Sequence, residues 1–412
     1  MEKTICELFA GVGGFRLGFE KASKAWRTVW FSQWEPGAKT QWAHECYVAH
    51  FHDCVDLKGE LKTGVDIATV DKKNIPDHTV LVGGFPCQDY SVAHPLPTSK
   101  GIEGKKGVLW WQIRDTLIAK NPAFCVFENV DRLLKSPANQ RGRDFGVILS
   151  CLCELGYSVE WRVVNAAVYG AAQRRRRVFI FAYRNDTKFG ESQAIKNPRR
   201  ILEDSGFMSK AFPIDEIGVV NTVDVAADPV DVSDNFVFEF QSAGYCSGNR
   251  VYTTTVKETE EPAKTIAEIR DVNPDAECFV DEQSQIEKWT FLKGAKKIKR
   301  TSKSGHEYVF SEGPIAFPDP LDRPGRTMLT SEATLNRSSH ILRDPATGRL
   351  RTLTPLEAER LQGFDDGWTA IGGMPRRMRY FCMGNALVVP MITRMANVLG
   401  PIVGREPARS SK

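Results

Sequence analysis

Val80-Leu81-Val82-Gly83-Gly84-Phe85-Pro86-Cys87-Gln88-Asp89-Tyr90-Ser91 carries a short apolar run into two glycines, a proline and a cysteine. An apolar run of this length, stopped by glycines, reads as a buried strand whose end turns sharply. Cys87 then falls at the carboxyl edge of a sheet, where α/β proteins build their sites. A thiol placed there can act as a nucleophile. A cysteine after such a run is often no more than a small buried hydrophobe, so its neighbours must decide.

Working outward, strand-like runs at residues 4–9, 28–31, 79–82, 124–127 and 177–182 alternate with segments of helical period. That rhythm predicts an α/β fold with a mainly parallel sheet and helices on both faces. Leu109, Ile113 and Leu117 form one helical stripe, and Phe145, Ile148, Leu149, Leu152 and Leu155 form the next. Beyond residue 183 the strand-like pieces shorten and Gly, Pro, Asn and Asp punctuate often, which predicts a smaller irregular domain over 184–344. Regularity returns over 345–412, where Thr354-Pro355-Leu356-Glu357 is a capping box with proline at the first helical position, and that helix is expected to stop at Gly363. The expected domains are thus 1–183, 184–344 and a returning segment 345–412.

Three further constellations sit at predicted strand ends. Glu7-Leu8-Phe9-Ala10-Gly11-Val12-Gly13-Gly14-Phe15 ends a strand in glycines and opens a helix, which lets a ligand approach bare backbone, although Gly11, Gly13 and Gly18 do not have dinucleotide-fingerprint spacing and a plain tight turn would need the same glycines. Glu35 stands after the second strand, where an acidic side chain can hold ribose hydroxyls. Phe127-Glu128-Asn129-Val130 puts a carboxyl beside the same edge as Cys87, where partial desolvation would let it hold a proton near neutral pH; the plain alternative is a helix cap. Gln173-Arg174-Arg175-Arg176-Arg177 precedes a strand, and period-two geometry sends Arg175 and Arg177 to one side, suited to phosphate or carbonyl oxygens unless the run is a solvated turn.

At 412 residues the chain exceeds one core, and 42% hydrophobic content is ample for packing. A net charge of +4 neither requires nor excludes a polyanion. No segment approaches the ~20 apolar residues that cross a bilayer, so a soluble, cytoplasmic protein is expected. Ten cysteines without framework spacing suggest free thiols. His44, Cys46, His50, His52 and Cys54 crowd together, but the helical spacing of Ala38, Trp42 and Cys46 argues against metal. Cys151 and Cys153, two apart on a helix, face different ways.

Together, the segments beginning at Glu7, Gly83, Phe127 and Gln173, with Arg351-Thr352-Leu353-Thr354-Pro355 and Met383-Gly384-Asn385-Ala386, resemble the ordered motifs of the DNA (cytosine-5) methyltransferase family of prokaryotic restriction-modification systems. The resemblance covers 1–183 and 345–412. It implies a Rossmann-like S-adenosylmethionine-dependent methyltransferase fold with a target-recognition domain. It implies that Phe9, Ala10, Gly11 and Gly13 line the methionine end of S-adenosylmethionine, Glu35 its ribose, and Asp66 and Ile67 its adenine, with Pro86, Leu109 and Asn385 completing the pocket and no metal required. Cys87 would be the nucleophile, Glu128 the contact to the base, and Arg175 and Arg177 supports for the carbonyl oxygen and catalytic loop. Glu7 departs from the aspartate frequent in the family.

The expected partner is double-stranded DNA, contacted by Gln88, Ser91, Lys296 and Lys297 in a monomer, with a cognate endonuclease as functional partner. Lys293-Gly294-Ala295-Lys296-Lys297-Ile298-Lys299-Arg300 is the densest basic run and suits phosphates, or else a solvated face. Asp224, Asp228, Asp231 and Asp234 should face away from DNA. Two rivals keep much of this: the same chemistry on transfer RNA, separable by tritium transfer to both substrates, and a non-catalytic DNA-binding protein, which would be expected to have lost Cys87 or Glu128. A nicotinamide oxidoreductase is disfavoured by the glycine spacing.

Overall fold

The structure, a computed structural model, describes residues 1–54, 65–85, 108–301 and 305–408. Its main sheet is built from β1 (Thr4–Leu8), β2 (Arg27–Ser32), β3 (Val80–Gly84), β4 (Phe124–Val130), β5 (Tyr157–Asn165) and β6 (Arg176–Arg184), extended by strands Asn221–Asp224, Ala243–Ser247 and Arg250–Thr254. β1 pairs in parallel with β2 and β3, and β3 with β4. β1, β3 and β4 are almost wholly buried, as inner strands covered on both faces must be, whereas edge strand β2 is buried only over Trp30–Ser32. Beyond β4 every pairing in the sheet is antiparallel, so the sheet is mixed and not mainly parallel. The order β2-β1-β3-β4 makes the gap between β1 and β3 a topological switch point.

Helices α1 (Gly14–Ala22), α2 (Trp42–His50), α3 (Val108–Lys120) and α4 (Arg143–Glu154) cover the sheet with helix Val389–Arg405. Ile113 and Leu117 of α3 and Phe145, Ile148 and Leu149 of α4 share one core with Leu81, Cys125, Phe127 and Ile180. On the opposite face Phe181 stacks on Phe207 at 3.7 Å between ring centroids. Gly18 of α1 meets helix Val389–Arg405 so closely that a Cβ there would stand 2.5 Å from Ile392 Cβ. A glycine is required at that crossing, and it lets helix Val389–Arg405 pack directly on α1.

The chain forms two compact units, one of residues 1–169, 176–261 and 387–412, the other of 170–175 and 262–386. Residues 184–261, placed by sequence in an irregular domain, therefore belong with the sheet. Their hairpin, turned by Gly248 and Asn249 at positive φ, adds to β5 and extends the sheet. The second unit holds a three-stranded sheet (Phe279–Val280, Leu350–Thr352, Ile341–Arg343), a separate ribbon (Lys296–Thr301 with Glu307–Glu312), and helices Gln283–Lys293, Pro355–Gln362 and Arg376–Asn385. Thr354 caps Pro355–Gln362 through a full capping box and Gly363 ends it in the left-handed conformation, as the sequence predicts. No single helix among the described residues is long and apolar enough to cross a membrane.

Candidate active site

β1 delivers the glycine loop to the switch point. Phe9, Gly11 and Gly13 all take positive φ, at 56°, 57° and 88°, which is ordinary for the glycines and strained for phenylalanine. One side of the loop is closed, since a Cβ on Gly13 would lie 2.5 Å from the Phe51 ring. At Gly11 nothing stands within 4 Å of where a side chain would begin, so bare backbone faces open space. The loop is fixed by a side chain that the sequence reading passed over: buried Gln33 accepts from Gly11 N at 2.6 Å. Beneath it Glu7 is fully buried and accepts from Tyr47 Oη at 3.0 Å. Burial pushes its carboxyl up to about 7, against the opposing pull of Tyr47 and Arg16.

Glu35 follows β2, half-buried, with burial raising its carboxyl above the ordinary value. Gln41 clamps its backbone, donating to Glu35 O at 3.0 Å and accepting from Glu35 N at 2.8 Å. Asp66 caps the turn Ile67–Thr69 through Ala68 N, so Ile67 is buried in the same core against which Phe9 packs. Leu109 is half-buried near the start of α3. Asn385 is exposed at the end of helix Arg376–Asn385 in the second unit. Pro86, Cys87, Gln88 and Ser91 lie outside the described residues.

The polypeptide leading to Cys87 is held from β4. Gly84 is the register partner of Glu128, and a Cβ on Gly84 would stand 3.3 Å from Glu128 Oε2, so the glycine keeps that carboxyl uncrowded. Asn129, buried, donates to Phe85 O at 2.8 Å and accepts from Val130 N, which pins the backbone immediately before Pro86. Arg177 Nε pairs with Glu128 Oε1 at 2.8 Å, both side chains mostly sheltered. Charge-assisted pairs of this kind hold an orientation well.

Arg175 does not share that position. β6 begins only at Arg176, so the alternation that sends Arg175 and Arg177 to one side has no strand to act on. Arg175 is instead buried in the second unit, donating to Met328 O at 3.1 Å and Gly384 O at 3.0 Å. Gln173 beside it accepts from Met328 N and donates to Leu361 O. Lys296 also differs from expectation: its ammonium is spent on Leu292 O at 2.6 Å and Glu312 at 3.2 Å. Lys297 is exposed, with no ion pair among the described residues. Of the histidine and cysteine cluster, His44 and Cys46 are buried in α2, and His44 stacks on Phe31.

A glycine loop and an acidic side chain at a switch point, beside a carboxyl aligned by arginine, define an α/β methyltransferase. The chain matches the family described as C-5 cytosine-specific DNA methylase over residues 3–400, and it belongs to that family. It is 49% identical over 404 residues to the Type II methyltransferase M.Sau3AI of Staphylococcus aureus, which covers 97% of this chain and 95% of that one. It is 24% identical to the orphan methyltransferase M.SPRI of Bacillus phage SPR, over 94% of this chain and 95% of the other. Among solved structures, the S. pombe Dnmt2 methyltransferase matches with TM-score 0.58 at 16% identity, covering 97% of this chain and 98% of its own, which shows the shared fold alone. The protein is a DNA (cytosine-5-)-methyltransferase.

Proposed function

We propose that the chain transfers a methyl group from S-adenosylmethionine to carbon 5 of a cytosine flipped out of a specific duplex DNA sequence, through a covalent adduct with Cys87, as the protective member of a restriction-modification system. The observation that supports this best is the Glu128–Arg177 pair at the end of β4, beside a backbone that Asn129 holds just ahead of Cys87. On this reading the enzyme acts as a cytoplasmic monomer, and a cognate endonuclease is its functional partner.

The residues present fit the cofactor. Bare backbone at Gly11, the strained Phe9–Ala10 turn and half-buried Glu35 offer a methionine site and a ribose acceptor, and Asp66 and Ile67 an adenine edge. Pro86, Leu109 and Asn385 complete the proposed set. When bound, S-adenosylmethionine supplies an electrophilic methyl group.

Carbon 5 of cytosine is a poor nucleophile, so the Cys87 thiolate first adds to carbon 6, and the displaced electron pair makes carbon 5 enamine-like. Charge gathers on the ring as that bond forms. Glu128, carrying a proton, donates it to a hydrogen bond with nitrogen 3, where the charge develops, and accepts from the exocyclic amino group, while Arg177 keeps the carboxyl aimed. After methylation a base, solvent included, takes the carbon 5 proton; the electron pair left behind re-forms the 5,6 double bond and the Cys87–carbon 6 pair departs on sulfur, restoring aromaticity and the free thiolate. None of these atoms is reachable in a stacked helix, so the target nucleotide must leave it, at a cost of a few kcal/mol.

Duplex DNA carrying 5-fluorocytosine at the methylated position, incubated with enzyme and methyl donor, is expected to yield a covalent complex whose modified peptide contains Cys87. Cys87→Ala should bind that DNA and trap nothing. A wild-type protein that methylates such sites without forming any adduct would exclude the covalent route.

A further inference from the structure

Eight cysteines lie among the described residues, all as free thiols, and seven of them are buried. Cys153, in the last turn of α4, is half-buried. Its Sγ stands 3.5 Å from Sγ of Cys246, which is fully buried in the strand Ala243–Ser247. The two lie 93 positions apart in sequence and belong to the same compact unit. Neither thiol takes part in methyl transfer.

Their surroundings give the two sulfurs different roles. With Cys246 as donor, its bond to Cys153 outweighs the effect of burial and, helped by the backbone N–H of Asn249, holds the Cys153 thiol below its ordinary value. The same contact, with burial, pushes Cys246 well up. Asn249 is set at positive φ in the turn after the strand, and its carbonyl accepts from Val225 N, so its own N–H is held in place. Glu154, next in sequence to Cys153, is neutralised by Arg114 at 3.1 Å. The carbonyl end of α4 works the other way, since it disfavours an anion. Thiolate character and access decide which thiol meets an oxidant, and both favour Cys153. Cys246 then stands in contact behind it.

A disulfide holds its sulfurs ~2.0 Å apart, so the pair must close by about 1.5 Å, the scale of side-chain rotation. We propose that Cys153 and Cys246 are a thiol pair that a hydroperoxide oxidises to a disulfide, clamping α4 to the hairpin that extends the sheet. The Cys153 thiolate attacks a peroxide oxygen; the S–O bond forms, the O–O bond breaks, and the departing hydroxide or alkoxide takes up a proton. The Cys246 sulfur then attacks that sulfenic acid; the S–S bond forms, the S–O bond breaks, and the hydroxyl leaves with the Cys246 proton as water. Two thiols give up two electrons and one peroxide is reduced. The new bond closes a loop containing β5 and β6, which restricts the unfolded chain and so stabilises the fold.

The test treats the full-length protein with hydrogen peroxide, alkylates the remaining thiols in denaturant and maps the peptides by mass spectrometry. The expected product is a Cys153–Cys246 linked peptide that dithiothreitol removes, with a urea midpoint that rises on oxidation and returns on reduction. In Cys246→Ser the sulfenic acid has no second thiol to meet, so dimedone labelling of Cys153 should rise by about fivefold or more over wild type. In Cys153→Ser the buried Cys246 should take no label. Wild-type protein whose Cys153 advances to sulfinic acid while Cys246 stays open to alkylation would overturn the proposal, as would oxidation that leaves both thiols unchanged. The wild-type map decides by itself, so a serine variant that fails to fold leaves the outcome readable. It reads thiols and not methyl transfer, and its failure is therefore distinct from failure of the enzymatic reading.

Discussion

Single side chains decide how sharply this site is set. Arg177 is placed to aim Glu128, so Arg177→Ala should lower kcat by about a hundredfold, the scale of removing one preorganised electrostatic group, while leaving the KM for methyl donor unchanged in steady-state assays. Gln33 acts one step further back, on the backbone of Gly11. In Gln33→Leu the KM for methyl donor should rise about fivefold, as the loss of ~1 kcal/mol of hydrogen bonding implies, with kcat little changed. The place of Glu128 near the end of β4 was legible because a charged residue at the end of an apolar run stands out. Gln33 was not, because its role is a bond to a main-chain N–H twenty-two positions away, and no local pattern marks that. Arg175 misled for a related reason, since side-chain alternation is a property of strands and this residue precedes one.

At the level of elements, caps and apolar stripes were legible and buried charge was not. Thr354→Ala should cost about 1 kcal/mol in urea unfolding, because its hydroxyl caps Glu357 N and orders the reciprocal Glu357 bond. Gly18→Val should destabilise more, roughly 1–3 kcal/mol, because the added atoms collide with Ile392. β5 escaped the sequence reading because Glu160 and Arg162 interrupt its apolar pattern, yet both are buried. Glu160 accepts from Phe207 N and Met208 N, and Arg162 donates to Phe212 O and Leu202 O. Strands 221–254 were illegible as part of the main sheet for another reason: the Gly248-Asn249 turn is local, but the strand that a hairpin joins is a long-range choice.

Taken whole, the molecule buries several carboxyls, and in two of them, Glu7 and Glu160, burial outweighs the partners, which shapes how stability responds to pH. Burial raises Glu7 and Glu160 from 4.5 to about 7 each, against weaker opposing hydrogen bonds. The folded state then binds more protons than the unfolded chain between those values, so their contribution to stability falls as pH rises from about 4.5 to about 7 and is level above that. Each group can account for up to ~3 kcal/mol. Urea midpoints at pH 5 and pH 8 should therefore differ less in Glu7→Gln than in wild type. The two-unit division has a further consequence for how the protein is made. Residues 170–175 leave the ribosome early, but Gln173 and Arg175 bond to Met328, Leu361 and Gly384, which are still untranslated. At ~5–20 residues per second the nascent chain carries that arginine without its acceptors for roughly ten to forty seconds. The strands of the sheet can therefore pair during synthesis, whereas the second unit waits for residue 384 and the sheet waits for helix Val389–Arg405 to complete its cover.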